Sequence, residues 1–468
     1  MKKKVIKFFQ NTQPMSKSSS TYVNTRLSLA ESPYTLGVFT SLKRSLFGII
    51  LICEVIMGSE VIELDVNGTK VPMIFESDNR LPIVSMQIVF QNGGSISNTK
   101  HAGLARAVAK MYGEGTKALG SKGFAEKLDA KAIHISASTG SETFVFELSC
   151  LKEHMAEGVQ ALGELLKDPN LSEDALDQVK TVTLGEIQRK STDFDYVAGK
   201  TLKELMFKNT VLALPSIGTT KSVGELKIED IKSFINEHIV SSRVIVVAGG
   251  DLSTEEANAS IQSILSSLKV GQTAELPYFK VHPKTQEEII RKKTEQAYVY
   301  FGAPFDMKTG DEDYYKSRVA IFILGSSGFG SRLMEEIRVK KGLAYSAYGR
   351  VSVSKSSSYF SGYLQTKLET QDEAQKSVNE VIKIFVEDGV TQDELDQAKK
   401  FLLGSEPLRV ETLSQRLGRT FMDYYKGAPL NNSELELDKI EKLELKDLNL
   451  FIKKHKEIQN LTYAIVTQ

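Results

Sequence analysis

Leu171-Ser-Glu-Asp-Ala-Leu-Asp-Gln-Val-Lys-Thr-Val-Thr-Leu-Gly-Glu186 lines up with Val390-Thr-Gln-Asp-Glu-Leu-Asp-Gln-Ala-Lys-Lys-Phe-Leu-Leu-Gly-Ser405, and this pair of stretches decides the fold. Seven of the sixteen positions are identical, at an offset of 219 residues. A second pair repeats the signal. Leu226, Asp230, Phe234, Ile235 and His238 match Leu443, Asp447, Phe451, Ile452 and His455 at an offset of 217. Two independent matches at nearly one offset mark an internal duplication. The copies run over residues 60–267 and 290–468. Residues 268–289 between them hold Pro277, Pro283 and a run of charges, and read as a linker.

Each copy mixes strands and helices. Ile83–Phe90 and Gln296–Phe301 read as strands opening the two halves, and Ser141–Cys150 and Ser356–Leu364 alternate apolar and polar side chains as sheet strands do. Glu153–Leu166 and Asp372–Phe385 have helical spacing. Asp174–Arg189 and Asp393–Ser405 are helices with N-cap candidates Ser172 and Thr391 just before them. Arg243–Ala248 and Leu461–Val466 close the halves as strands. The order predicts an α+β protein of two homologous domains, each a mixed sheet covered by helices.

The chain has 468 residues, 41% hydrophobic and 25% charged, which suits about two to four ordinary globular domains and excludes collagen, a mostly disordered chain or a polytopic membrane protein. Basic and acidic side chains balance at 59 each, but unevenly. Residues 1–59 carry eight Lys/Arg and two Asp/Glu, leaving 51 basic against 57 acidic beyond them. An acidic body gives no electrostatic reason to expect nucleic acid as a partner. Cys53 and Cys150 are the only cysteines. Once a leader containing Cys53 is removed, Cys150 can form no internal disulfide, and at the end of an apolar run it reads as a small buried side chain.

Residues 1–59 read as that leader, a tail plus a signal peptide. Residues 1–30 hold six basic residues and no acid. Lys43-Arg44, the apolar stretch Leu46–Met57 and then Gly58 and Ser59 have the layout of a secretory signal. The stretch is too short to span a membrane, which takes about 20 residues, so a membrane is met only through the leader before cleavage. A start near Leu42 would make residues 1–41 an over-extended reading frame. The expected location is periplasmic or secreted. The alternative is a mitochondrial-type leader, although only Arg26 precedes Arg44 among the arginines such a leader favours.

Several stretches together carry a family resemblance over about residues 60–468. They are His101-Ala-Gly-Leu-Ala-Arg-Ala-Val-Ala-Lys-Met-Tyr-Gly-Glu-Gly-Thr116, Asp195-Tyr-Val-Ala198, Ile217-Gly-Thr219 and Glu225-Leu-Lys-Ile-Glu-Asp-Ile231. The most specific is Ser331-Arg-Leu-Met-Glu-Glu-Ile-Arg-Val-Lys-Lys-Gly-Leu-Ala-Tyr-Ser346. The sequence resembles the insulinase/pitrilysin-type zinc peptidases, in the branch of mitochondrial processing peptidase and its short bacterial relatives. The resemblance implies a pair of homologous α+β domains forming half of a clam-shell peptidase around a peptide.

Active members carry His-x-x-Glu-His on the first long helix, where two His at i and i+4 bind zinc and the Glu activates water. Here the resemblance puts Arg106 and Lys110 at the two His positions and Ala109 at the Glu. Two cations cannot ligate a dication, and an alanine cannot act as a base. The third ligand position falls on Glu186, which otherwise reads as a helix carboxylate able to pair with Lys110 or Arg106. No two of the six His have metal-ligand spacing. No metal and no catalytic residue are therefore expected in this chain.

The second half keeps a different signature. Arg338 lies near a helix end, Gly342 can supply the left-handed cap, and Tyr345 begins the next strand. In the family an Arg and a Tyr at this spacing hold the substrate backbone and stabilise the oxyanion opposite the zinc. The alternative is an Arg338 paired with Glu335 or another helix neighbour and a Tyr345 in the core. The loop Gly325-Ser-Ser-Gly-Phe-Gly330 lacks the residues of a nucleotide site and fits a substrate-facing or helix-opening loop. Relatives often split the site between two chains, one with zinc and one with the Arg/Tyr pair. The expected function is thus a substrate-binding subunit of a heterodimeric zinc peptidase that degrades or processes peptides. The zinc would belong to a homologous partner. The alternative is an inactive scaffold or peptide-binding protein.

Overall fold

A computed structural model describes residues 58–97 and 101–468. Apart from Gly58 and Ser59, the leader expected over residues 1–59 lies outside the described residues.

The first half opens with β1 (Glu60–Val66) and β2 (Thr69–Ser77), joined by Asn67-Gly68. Both turn residues have positive φ, the geometry of a primed two-residue hairpin, which Asn-Gly adopts with least strain. Then come β3 (Ile83–Gln91), β4 (His134–Thr139), β5 (Thr143–Leu151) and β6 (Val244–Gly250), in the sheet order β1-β2-β6-β3-β5-β4. The second half has β7 (Glu287–Arg291), β8 (Gln296–Pro304), β9 (Ala344–Val353), β10 (Ser358–Lys367) and β11 (Thr462–Thr467), in the order β7-β11-β8-β10-β9. With β1 set aside, the two sheets share one plan. β2 runs parallel to β6 as β7 does to β11, and every later pairing is antiparallel. The duplication read from Leu171–Glu186 and Val390–Ser405 is therefore also a duplication of topology.

Two boundaries differ from expectation. The strands at Ile83 and Gln296 do not open their halves, because β1 and β2 precede one and β7 precedes the other. β7 also takes Glu287–Ile289 out of the expected linker, leaving residues 268–286 without helix or strand. Its sequence, Glu-Glu-Ile-Ile-Arg, is mostly exposed at the sheet edge. Charges that protect an edge strand are the same charges that make it read as a linker.

The helices of the first half are α1 (Leu104–Tyr112), α2 (Gly120–Asp129), α3 (Met155–Lys167), α4 (Glu173–Lys190), α5 (Phe194–Met206), α6 (Thr220–Gly224), α7 (Ile228–His238) and α8 (Thr254–Leu265). Those of the second are α9 (Tyr314–Ile321), α10 (Arg332–Met334), α11 (Gln371–Asp388), α12 (Gln392–Gly404), α13 (Leu413–Lys426), α14 (Asn432–Glu441) and α15 (Leu445–Lys454). The repeat helices start where their caps direct. The Ser172 hydroxyl accepts from the Ala175 amide, and Thr391 with Glu394 forms a capping box. Each half has its own apolar core, with Phe90, Phe144, Phe146 and Leu162 at the centre of one and Phe301, Phe360, Leu364 and Ile382 at the centre of the other.

The other face of each sheet is covered by a helix from the opposite half. α13 lays Leu417 and Tyr425 on Ile74, Val89, Ile245 and Val247 of the first sheet. α5 packs Leu202 and Met206 against Ala464 and Tyr300 of the second. The repeat offset carries α5 onto α13, so the exchange is reciprocal. Glycines make room for it. A Cβ on Gly302 would lie 2.4 Å from Met206 Sδ, and one on Gly249 would lie 2.7 Å from the Glu76 carbonyl and 2.9 Å from Leu417 Cδ1. Burying Leu417 and Tyr425 contributes about 1.5–3 kcal/mol each. Arg416 on α13 adds ion pairs to Glu76 at 2.6 Å and Asp78 at 2.9 Å, all three largely buried.

Candidate functional site

α1 presents most of its length to the core, with Ala105, Val108, Ala109, Met111 and Tyr112 buried. Arg106 and Lys110, one turn apart, are its partly exposed side chains and face α4. Glu186 on α4 lies between them. Arg106 Nη2 donates to Glu186 Oε1 at 2.7 Å, and Lys110 Nζ donates to Oε2 at 3.1 Å and to the Thr183 hydroxyl at 3.2 Å. Burial works to raise the Glu186 pKa. The hydrogen bond from Lys110 and the charge of Arg106 outweigh it, so the carboxyl sits below its usual range. Each carboxylate oxygen therefore has its own cation.

This donor set does not fit zinc. Arg106 and Lys110 are permanent donors with no lone pair to offer, Ala109 is a buried methyl, and the one carboxylate is already neutralised. Among the described residues no group of three or more His, Cys, Asp or Glu is gathered to hold a metal.

The second cluster lies in the other half. α10 continues through a wider turn, Glu335–Lys340, and Gly342 at φ 64° ends it. The Gly342 amide bonds to the Arg338 carbonyl at 3.1 Å and the Leu343 amide to the Ile337 carbonyl at 2.9 Å, closing the helix as a left-handed glycine cap does. Such wide turns locally re-aim side chains. β9 then begins with an irregularity. Leu364 faces Ala347 while Thr366 faces Ala344, so Tyr345 and Ser346 together oppose Gln365. The bulge turns Tyr345 outward, where 80% of it is exposed.

Arg338 is half-buried, with its guanidinium between two rings. The Phe329 and Tyr345 centroids each lie 4.6 Å away. Among the described residues it makes no ion pair; neighbouring Glu336 is taken by Lys340 and Lys341. Neither alternative reading holds, since Arg338 does not pair with Glu335 and Tyr345 is not core. Phe329, 69% exposed, was not singled out from sequence, though its loop Gly325–Gly330 was. An aromatic residue among glycines ahead of a helix was the available signal. Among the described residues no contact joins this cluster to Arg106, Lys110 and Glu186. Cys150 is buried as expected, and burial pushes its thiol up to about 11.

Comparison with known proteins follows the same division. The family model described as insulinase (peptidase family M16) matches residues 73–220, and that described as peptidase M16 inactive domain matches residues 225–402. A Helicobacter pylori protein described as "non-peptidase homolog YmxG" is 45% identical, over 90% of this chain and 98% of its own length. The crystal structure of a peptidase M16 inactive domain from Pseudomonas fluorescens superposes with a TM-score of 0.81 at 22% identity, covering 87% of this chain and 98% of that one. A Helicobacter pylori protease superposes at 0.78 with 17% identity, over 88% and 99%. At those identities the two structures speak for the fold alone.

Proposed function

Because the chain belongs to the insulinase (M16) family of peptidases, we propose that it is a non-catalytic, substrate-binding subunit of a heterodimeric zinc peptidase. The observation that carries this reading is Arg338, a guanidinium with no ion-pair partner among the described residues, held between two exposed rings. A fully buried arginine ordinarily has a carboxylate partner, whereas this half-buried one has two rings instead. This one leaves its donor fork free for a peptide carbonyl, or for the negative charge that develops on it. The Tyr345 phenol is the second donor, and Phe329 holds the guanidinium plane from the other side.

Among the described residues the first half gathers no metal ligand set, and Ala109 stands where the family's base would be, so the chemistry is assigned to a partner. That partner is a homologous chain carrying zinc, and this chain supplies a wall that grips an extended peptide. The assembly acts in the periplasm or outside the cell, where the leader directs the chain. The description of the Helicobacter pylori relative as a non-peptidase agrees with the absence of catalysis in this chain.

The test is a pull-down of the native protein, with zinc content and chelator-sensitive peptidase activity measured on the product. Arg338→Ala/Tyr345→Phe is then compared with wild type in the reconstituted pair. Loss of donors to a developing oxyanion costs about 10²–10³-fold in turnover each, so the double variant should lose at least that with the heterodimer intact. Unchanged turnover would leave the scaffold as the function.

A further inference from the structure

A cavity of about 760 Å³ lies between α13, α14 and the start of α9, away from both clusters described above. It is lined by the face of α13 opposite to the one that covers the first sheet. Gly418, Met422 and Asp423 belong to that face. Across the cavity stand Leu435 and Glu436 of α14 and Arg318 of α9. The volume falls in the range of small-ligand sites.

Of the charged residues that line it, Asp311, Glu312, Arg409 and Asp423 are in no ion pair or ring contact among the described residues, and of these only Asp423 is buried. Arg318 donates to Glu436 at 2.6 Å, Arg419 pairs with Glu406, and Lys426 lies over the Tyr314 ring. Asp423 is 7% exposed, and no cation lies within ion-pair distance of it among the described residues. Its carboxylate accepts from Ser433, from the hydroxyl at 3.5 Å and from the backbone amide. Burial and the charge of Glu436 raise its pKa, more than Lys426, Arg419 and the Ser433 backbone hydrogen bond lower it. A carboxylate this deep without a counter-ion is costly unless something brings one.

Gly418 is an independent sign. It sits in the interior of α13, where glycine weakens a helix by about 1 kcal/mol relative to alanine. A Cβ there would meet nothing within 4 Å, so packing does not require the glycine. Its missing side chain instead widens the cavity. Met422 and Leu435, both substantially exposed, give the rim apolar surface.

We propose that this cavity binds an alkylguanidinium group, with the cation on Asp423 and the alkyl chain against Met422 and Leu435. The proposal is independent of the peptidase reading, because none of these residues touches Arg338 or Tyr345.

The test is calorimetric titration of the full chain with n-butylguanidinium and with Nα-acetylarginine amide. The uncharged isosteres n-butylurea and Nα-acetylcitrulline amide serve as controls. At least one cation should bind, and its urea counterpart should bind roughly tenfold more weakly or worse. Binding of the arginine amide alone assigns the cation to a polypeptide side chain; binding of both admits a free alkylguanidine. Asp423→Asn should lose the discrimination between cation and isostere. Gly418→Leu, which fills open space on a helix, should abolish binding while the fold is retained, and it serves if Asp423→Asn does not fold. The proposal is overturned if neither cation binds at millimolar concentration, if the ureas bind equally well, or if a folded Gly418→Leu binds as wild type does.

Discussion

Replacing Glu142 by alanine should loosen the junction between the two halves. Glu142 lies at the tip of the β4–β5 hairpin and is 8% exposed. Its Oε1 accepts from the Ser356 amide at 2.8 Å and the Ser356 hydroxyl at 2.6 Å, at the tip of the β9–β10 hairpin. Its Oε2 accepts from the Tyr425 hydroxyl at 2.8 Å, on the exchanged helix α13. One carboxylate thus ties together the equivalent hairpins of both halves and the helix that crosses between them. Alanine leaves the Ser356 amide and the Tyr425 hydroxyl without an acceptor, at about 1–3 kcal/mol each, and leaves the Ser356 hydroxyl only the Ser354 hydroxyl at 3.3 Å. Removing the buried charge returns part of that through desolvation. A net loss of about 3 kcal/mol results. Glu142→Gln keeps an acceptor for Ser356 and should lose about 1–2 kcal/mol, since bonds to an ionised group are roughly twice as strong as neutral ones. With an unfolding entropy of about 2.1 cal/mol/K per residue over roughly 410 residues, 3 kcal/mol lowers the Tm by about 3–4 °C. Calorimetry measures this, and hydrogen exchange locates it. The amides of Gly93, Ser95 and Ile96, which bond to the carbonyls of residues 140–142, should lose protection ahead of the core strands. A Glu142→Ala protein with wild-type Tm and unchanged exchange at those amides would refute the idea that this carboxylate holds the halves together.

Two further outcomes concern the face of α1. Glu186→Gln strips the shared counter-charge from Arg106 and Lys110 and should lose about 1–2 kcal/mol at neutral pH. Because the folded-state pKa of Glu186 is lowered, its contribution is full above the unfolded-state value of about 4.3 and disappears as pH falls through the folded-state value. The stability difference between wild type and variant should therefore be flat from pH 6 to 8 and shrink in acid, as denaturant titrations across pH will check. Arg106→His/Lys110→His puts two imidazoles one turn apart on either side of Glu186. That variant should take up one zinc per chain, and at about a hundredfold excess over Kd the metal should stabilise it by about 2.7 kcal/mol. A folded double variant that stays zinc-free would mean that α1 and α4 are no longer spaced as a metal site.

The parts of this fold legible in the sequence are the local ones. Ser172 and Thr391 announce helix starts because a hydroxyl accepting an amide three residues on is a local event. The paired helices α4 and α12 could be aligned because both copies keep the same apolar spacing. What covers each sheet could not be read. Leu413, Leu417 and Phe421 repeat as a helix does, but the period does not say that their surface is the sheet of the other half. At the site, the spacing of Arg338 and Tyr345 was legible through resemblance. The bulge that exposes Tyr345 was not, since it depends on how β9 pairs with β10. Asp423 was invisible for a similar reason. Its isolation results from partners chosen elsewhere, by Arg318 for Glu436 and by Arg419 for Glu406.

The two copies share packing and differ in polar chemistry, and this difference explains how a metal site can be lost without the fold. His238 and His455 occupy the same place at the ends of α7 and α15. Each ring packs on the phenylalanine four residues before it, at 4.4 and 4.5 Å. Yet His238 Nδ1 faces the guanidinium of Arg243 at 2.8 Å and must accept, whereas His455 Nδ1 faces the Glu457 carboxylate at 2.8 Å and must donate. The ring is retained as an apolar plate while its hydrogen-bond role is inverted. The face of α1 follows the same logic. In an active relative a dication between α1 and α4 would draw both helices to one charge centre. Here the sign is reversed in position but not in effect, since Arg106 and Lys110 bring two positive charges from α1 to the one carboxylate of α4. The side chains now make the tether between the helices, so the first half keeps its shape without a metal.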